Sequence, residues 1–201
     1  RWDATEMILH AGGIEELATA MDGFLFDGRA YKRYNSDGEV ENPDDVAVQL
    51  CNEHIRPHMD KGRPILEGYL SKGNPAQLAL SIVCLKALAQ PASVDKLKAL
   101  KKNKTSLEKF FFYGKDLKVR AEAIKKKRTK ELTAELLALN AVDGIKVHNE
   151  ILKAVQSKKM KAEEAKLRRK SVNKVFFATG KDFRQAVEQS YRTMKEKAAA
   201  Q

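Results

Sequence analysis

The chain has little of what marks a disulfide-stapled, zinc-bound or membrane-spanning protein. It has two cysteines, four histidines, one tryptophan and five prolines in 201 residues. Cys51 and Cys84 form no C-x-x-C motif, and a single pair defines no disulfide framework, so a reducing compartment is the expectation. The longest apolar stretch, Leu78 to Ala89, is well short of the roughly 20 residues that span a bilayer and is interrupted by Lys86. It reads as a buried helix, and no membrane span is expected. Glycine and proline together are too few to punctuate a protein of many short strands, while Ala, Leu, Lys and Glu dominate the second half. The composition therefore points to an all-α or mainly α fold, an irregular helical bundle.

Catalytic patterns are also missing. "CNEHIRPHMD" offers Cys51, His54 and His58 with Glu53 and Asp60 nearby, but Pro57 breaks the helical face that would gather them, and His10 and His148 stand far off in sequence. No metal site is assigned. Gly180-Lys181 fails as a phosphate loop because Asp182 stands where Ser or Thr is needed and no glycine lies five positions earlier. Gly12-Gly13 follows no strand and forms no dinucleotide fingerprint. Asp44-Asp45 and Glu163-Glu164 read as a helix start and a solvated helical face, and no Ser/His/Asp or Cys/His constellation stands out. A non-enzymatic protein without cofactor is the expectation.

What the chain has in quantity is positive charge, unevenly placed. The formal net charge is +11, made of about −8 over residues 1–60 and about +19 over the remainder. Residues 1–100 form an acidic-to-neutral helical region and 101–201 a basic one. Three basic clusters stand out: Lys101, Lys102 and Lys104; Lys125, Lys126, Lys127, Arg128 and Lys130; and Lys158, Lys159, Lys161, Arg168, Arg169 and Lys170. Side by side, they would line a groove for nucleic acid or another acidic surface, contacting phosphates without reading bases. Three unrelated solvated patches would look the same in sequence. Phe110 to Tyr113 and Phe176-Phe177 would either stack on bases or fill a core.

Helix signals are legible along most of the chain. A first helix begins near Asp3 and breaks at Gly12-Gly13, and a loop or short hairpin covers 24–41, where Asp-Gly occurs at 27–28 and 37–38. Asn42-Pro43 and Asn74-Pro75 open further helices, the second running to Pro91 as the central core element. Pro57 kinks or ends the helix before it, and a short helix is expected from Pro64 to Ser71. Ser93 to Lys102 reads as a short basic helix. Thr105 with Glu108 reads as a capping box, and Gly144 as a turn between two helices.

One phrase occurs twice. "KFFFYGKDL" from Lys109 and "KVFFATGKDF" from Lys174 lie about 65 residues apart, and looser similarity links 104–117 with 170–183, as an internal duplication would. Gly114 and Gly180 would end one helix in a left-handed conformation, and Asp116 and Asp182 would cap the next, making two helix-turn-helix elbows. Together these features predict a helical subunit of a large assembly, a ribonucleoprotein or packaging component with other protein subunits as neighbours. The alternative is a protein-protein adaptor, or an oligomeric structural protein that binds no nucleic acid. The opening "RWDATEM" lacks a secretory pattern and starts at Arg1, as a chain with a removed organelle presequence or a viral maturation product would. An intracellular or viral location is the expectation.

Overall fold

The computed structural model describes residues 2–22, 43–112 and 114–199. Among them helix is the only regular element, so the protein is all-α, with one isolated antiparallel bridge between Ser106 and Thr133. The hairpin or loop expected at 24–41 lies outside the described residues.

Helix α1 (Trp2–Gly12) stops at the expected glycine pair, where Gly13 has φ +69°, and a 3₁₀ turn leads into α2 (Leu17–Asp22). Helix α3 (Pro43–Leu50) runs into a π-turn at Cys51–Ile55 and a 3₁₀ turn at Arg56–His58, so Pro57 does interrupt it. Helix α4 (Met59–Lys72) begins earlier than expected and carries Pro64 inside it. Near a helix start, proline forfeits a single intrahelical bond, a loss that packing of Leu66, Tyr69 and Leu70 in the core outweighs.

Helix α5 (Pro75–Leu88) is the centre of the molecule. The Asn74 side chain accepts from the amides of Ala76 at 2.9 Å and Gln77 at 3.0 Å, while Gln77 Oε1 accepts from the Asn74 amide at 2.8 Å. This reciprocal cap contributes about 1 kcal/mol. Every residue from Ala76 to Leu88 is buried, and α5 packs chiefly against α4 and the long helix α9 (Ala134–Gln156). A left-handed residue, Ala89 at φ 60°, ends it.

Between them lie α6 (Val94–Lys98), α7 (Glu108–Phe111) and α8 (Gly114–Lys125), and after α9 come α10 (Ala162–Asn173) and α11 (Gly180–Ala199). The large core draws on residues from Leu9 to Phe176. A smaller cluster of Ile151, Ala165, Val172, Val175, Phe183 and Val187 joins α9, α10 and α11.

Three expectations are corrected. Gly144 is not a turn but an interior residue of α9, because the buried Lys86 side chain crosses the helix there: a Cβ would stand 2.6 Å from Lys86 Cε. Thr105 and Glu108 form no capping box: the residue preceding α7 is Leu107, with no side-chain cap, and the Glu108 carboxylate turns to Arg120 and Leu132. The basic helix expected from Ser93 to Lys102 is likewise shortened to α6, followed by turns.

Candidate functional site

The basic clusters lie at the ends of helices. Lys101, Lys102 and Lys104 follow α6, Lys125 closes α8 and is followed by Lys126, Lys127, Arg128 and Lys130, and Lys158, Lys159 and Lys161 follow α9. Cations there complement the negative end of a helix dipole, which gives each cluster a local reason to exist. Lys102, Lys127 and Lys158 each adopt positive φ, at 76°, 54° and 57°. After α8 the Arg128 amide donates to Ala123 O at 2.9 Å, and after α9 the Lys159 amide donates to Ala154 O at 2.8 Å. These are Schellman closures with lysine where glycine is usual.

The fold brings the first two clusters to one end of α9. The Glu135 amide donates to Asn103 O at 2.9 Å, the Ala134 amide to Thr105 O at 3.0 Å, and the Leu107 amide to Leu132 O at 2.8 Å. These bonds lay 103–107 against 132–135, at the start of the helix that Thr133 caps. Lys104 pairs with Glu135 and Lys126 with Glu122. Lys101, Lys102, Lys125, Lys127, Arg128 and Lys130 are exposed and have no carboxylate partner among the described residues. Lys158, Lys159 and Lys161 lie at the opposite end of α9, ~35 Å away at 1.5 Å per residue. A single groove through all three clusters is therefore not what the helices build.

An ion pair between the buried Glu108 and the largely covered Arg120 holds the first end together. Arg120 Nε donates to Glu108 at 3.2 Å and its Nη2 to Lys130 O at 2.5 Å, with Thr129 as a further acceptor. Glu108 also accepts from the Leu132 amide at 2.5 Å. The guanidinium lies 5.4 Å from the Phe112 ring centre and 4.8 Å from that of Phe177. The two repeated phrases meet here: Phe111 packs on Phe176 at 5.2 Å and Phe112 on Phe177 at 5.6 Å, so equivalent phenylalanines face one another.

Their backbones nevertheless take different courses. The first phrase begins in α7, whereas 175–179 is non-helical, and α10 has already ended at Asn173. Gly114 and Gly180 open α8 and α11 instead of closing the helices before them, so Asp116 and Asp182 stand inside the first turn, where they favour the dipole, and not at the cap. Gly180 has φ +61°, and its amide donates to Asp143 Oδ2 at 2.6 Å. Phe110 and Phe176 are buried in the large core, while Phe177 is exposed.

Two buried polar side chains carry no signal in the charge pattern. Lys86 Nζ donates to Asn140 Oδ1 at 2.9 Å and Val175 O at 2.6 Å, over the rings of Phe176 and Phe183. It pins the segment before α11 to α5. His148 lies within hydrogen-bond reach of Asn173, Nε2 to Oδ1 at 2.9 Å, while its Nδ1 is buried without a partner. Burial lowers its pKa to about 3, against a raising contribution from Asn173, and the charges of Arg169, Lys86 and Arg56 lower it further. The imidazole is neutral at ordinary pH, and Nε2 carries the proton because Asn173 Oδ1 can only accept.

The third basic cluster divides. Arg168 is engaged inside the molecule: it donates to Glu164 at 2.8 Å and Glu188 at 3.0 Å, and stacks 4.0 Å from the Tyr191 ring centre. Its neighbour Arg169 enters a cleft of about 980 Å³ between the α3–π-turn segment and the α9–α10 hairpin. Arg56 lines the same cleft, held by Ala87 O at 2.6 Å and Asn52 Oδ1 at 3.1 Å. Burial, then repulsion from Arg56, lowers the pKa of Arg169.

Cys51 and Cys84 meet in the core as free thiols, Cys51 donating to Cys84 O at 3.4 Å, and contact with Cys51 together with burial pushes the Cys84 thiol up. His54 stacks edge-on against His10 at 4.6 Å, and among the described residues no group of three or more metal-ligating side chains gathers. No described helix is long and apolar enough to cross a membrane. The fold and these surfaces define an all-α protein with one end of α9 densely cationic and an arginine-lined cleft beside its last turns. No protein-family model, curated protein or solved structure matches the chain.

Proposed function

We propose that the chain is a non-enzymatic helical subunit of a larger assembly that holds a nucleic-acid backbone at the N-terminal end of α9. The observation that carries this reading is the concentration there of exposed Lys101, Lys102, Lys125, Lys127, Arg128 and Lys130 with no carboxylate partner among the described residues. Unneutralised charges around one helix end attract a polyanion by releasing its counterions and select no base sequence. The rigid Glu108–Arg120 pair beneath them fixes the surface without drawing on those cations.

The test is a salt titration of binding to single- and double-stranded oligonucleotides of mixed sequence. Affinity should fall steeply with salt, and replacing Lys125, Lys127, Arg128 and Lys130 by Gln should flatten the slope by roughly one unit for each lost phosphate contact. Salt-independent binding, or none, would defeat the reading. Low-salt self-association without nucleic acid would instead favour an adaptor whose acidic and basic regions pair between copies.

A further inference from the structure

The charged clefts of this molecule differ in one respect: whether their charges are answered. In the cleft between α9 and α11, Arg184 meets Glu150 at 2.6 Å and Arg168 meets Glu188 at 3.0 Å, so every arginine has a carboxylate. In the cleft on the other side of α10, Arg56, Lys166, Arg169 and Lys170 face a single acid, Glu53, which accepts from Gln49 at 3.0 Å. The Arg169 guanidinium has no hydrogen-bonding or ion-pair partner among the described residues. A half-buried guanidinium beside another is unfavourable for the empty fold and becomes favourable once an anion lies between them.

The surrounding groups are arranged accordingly. Val48, Asn52 and Arg56 follow one another at four-residue spacing along one face of the α3–π-turn segment and all reach the cleft, and π-turns recur at functional sites. Because the neutral His148 donates to Asn173 Oδ1, the amide nitrogen of Asn173 remains available as a donor to the cleft. The rest of the wall is apolar: Val48, Ile151, Leu152 and Val155 line it, and Leu152 is 48% exposed. A cleft of this size with a few convergent polar groups and apolar walls suits a small molecule. A bare phosphate or sugar-phosphate backbone would leave the apolar wall wet.

We infer that this cleft binds a small amphipathic anion, its carboxylate or phosphate-monoester head held by Arg56, Arg169 and Asn173 and its apolar tail laid on Val48, Leu152 and Val155. The site shares no residue with the helix end assigned to the polyanion, so it stands or falls separately.

Calorimetric titration of the full chain with octyl phosphate and octanoate tests it, with inorganic phosphate as the head alone and octyl glucoside as the tail alone, all below micelle formation. One equivalent of octyl phosphate, octanoate or both should bind at least about tenfold more tightly than either partial probe, and the better of the two identifies the head group. Arg169→Met should weaken that binding by roughly tenfold or more, because it removes a charge-assisted contact. Leu152→Glu, at an exposed position the fold tolerates, should do the same, Lys127→Gln should leave it unchanged, and the Leu152 and Val155 methyl resonances should shift on binding. Inorganic phosphate binding as tightly as octyl phosphate, no saturable binding, or affinity untouched by Arg169→Met would each overturn the inference. So would an oligonucleotide that displaces octyl phosphate and shifts the same methyl groups, since it would give the cleft to the polyanion.

Discussion

The two ends of α9 are both rich in charge and use it in opposite ways. At the first end the central pair is largely covered and fully answered: Glu108 takes Arg120 and the Leu132 amide, while Arg120 reaches Thr129 and Lys130 O and lies beside two phenylalanine rings. Surplus cations sit outside this network, in solvent. Toward the other end the Arg184–Glu150 pair is exposed and the Arg168 pairs are partly exposed, while the half-buried Arg169, which no carboxylate answers, faces a cleft. Stability should therefore depend most on the well-covered pair at one end, and the proposed ligand contact on the half-buried unpaired charge toward the other.

The largest break in this comparison should come from Glu108→Ala, which strands Arg120 against the aromatic rings. The expected cost is about 3–5 kcal/mol in urea unfolding, whereas Glu150→Ala, removing an exposed partner, should cost no more than about 1 kcal/mol. Equal costs would show that the burial difference does not set the energetics of the two ends.

His148, between the ends, predicts an acid sensitivity. Its folded pKa, about 3, lies below the ordinary 6.5, so the unfolded chain binds the proton more readily and stabilisation present above pH 6.5 is lost as pH falls toward 3. The slope is roughly 1.4 kcal/mol per pH unit at most. Glu135, Glu150 and Glu188, whose pKa values are also lowered, lose stabilisation in the same direction but below their ordinary 4.5. Between pH 6.5 and about 5.5, before these carboxylates begin to take up protons, the slope therefore reports chiefly on the histidine. His148→Gln should flatten unfolding free energy there, and an unchanged slope would place the proton uptake elsewhere.

Backbone conformation supplies the next tier. Gly180→Val should destabilise by about 1–2 kcal/mol because a β-branched residue is strained at φ +61° even where space is open. Lys127→Gly and Lys158→Gly, one beyond each of α8 and α9, should stabilise by about 0.5–1 kcal/mol by relieving left-handed lysines. A loss of melting temperature in both lysine variants would mean that charge at the helix end outweighs the strain.

Much of this scaffold was legible because its signals are local. Asn74-Pro75, the Gly12-Gly13 break and the Pro57 interruption all speak through neighbours in sequence. Gly144 misled because its reason, the stem of Lys86, comes from another helix, and glycine is ordinarily a terminator. Lys86 itself was hidden, since its acceptors Asn140 and Val175 lie far along the chain. Glu108 fitted a capping box locally, and only the return of 129–132 shows why it is buried. His148 did leave a trace, lying between Ile145 and Ile151 on a stripe of buried residues, whereas Arg168 and Arg169 both fall at helical spacing from Ala165 and Val172, so spacing alone does not separate them. Reading "KLRRK" as one basic run concealed the difference.

That difference gives the smallest and sharpest test. Arg168 and Arg169 are adjacent, and a helix turns successive side chains about 100° apart, so one meets Glu164, Glu188 and Tyr191 while the other meets the cleft and Arg56. Arg168→Met should lower stability by about 0.5–1 kcal/mol, through lost stacking and ion pairing at a partly exposed site. Arg169→Met should raise it by a similar amount, because methionine fills the same apolar wall without an unanswered charge. Stability gained where a proposed ligand contact is removed is the mark of a residue retained for binding. Thermal unfolding of the two variants side by side decides it: changes of the same sign would mean that the adjacent arginines are alike after all, and that the cleft holds its charge at no cost to the fold.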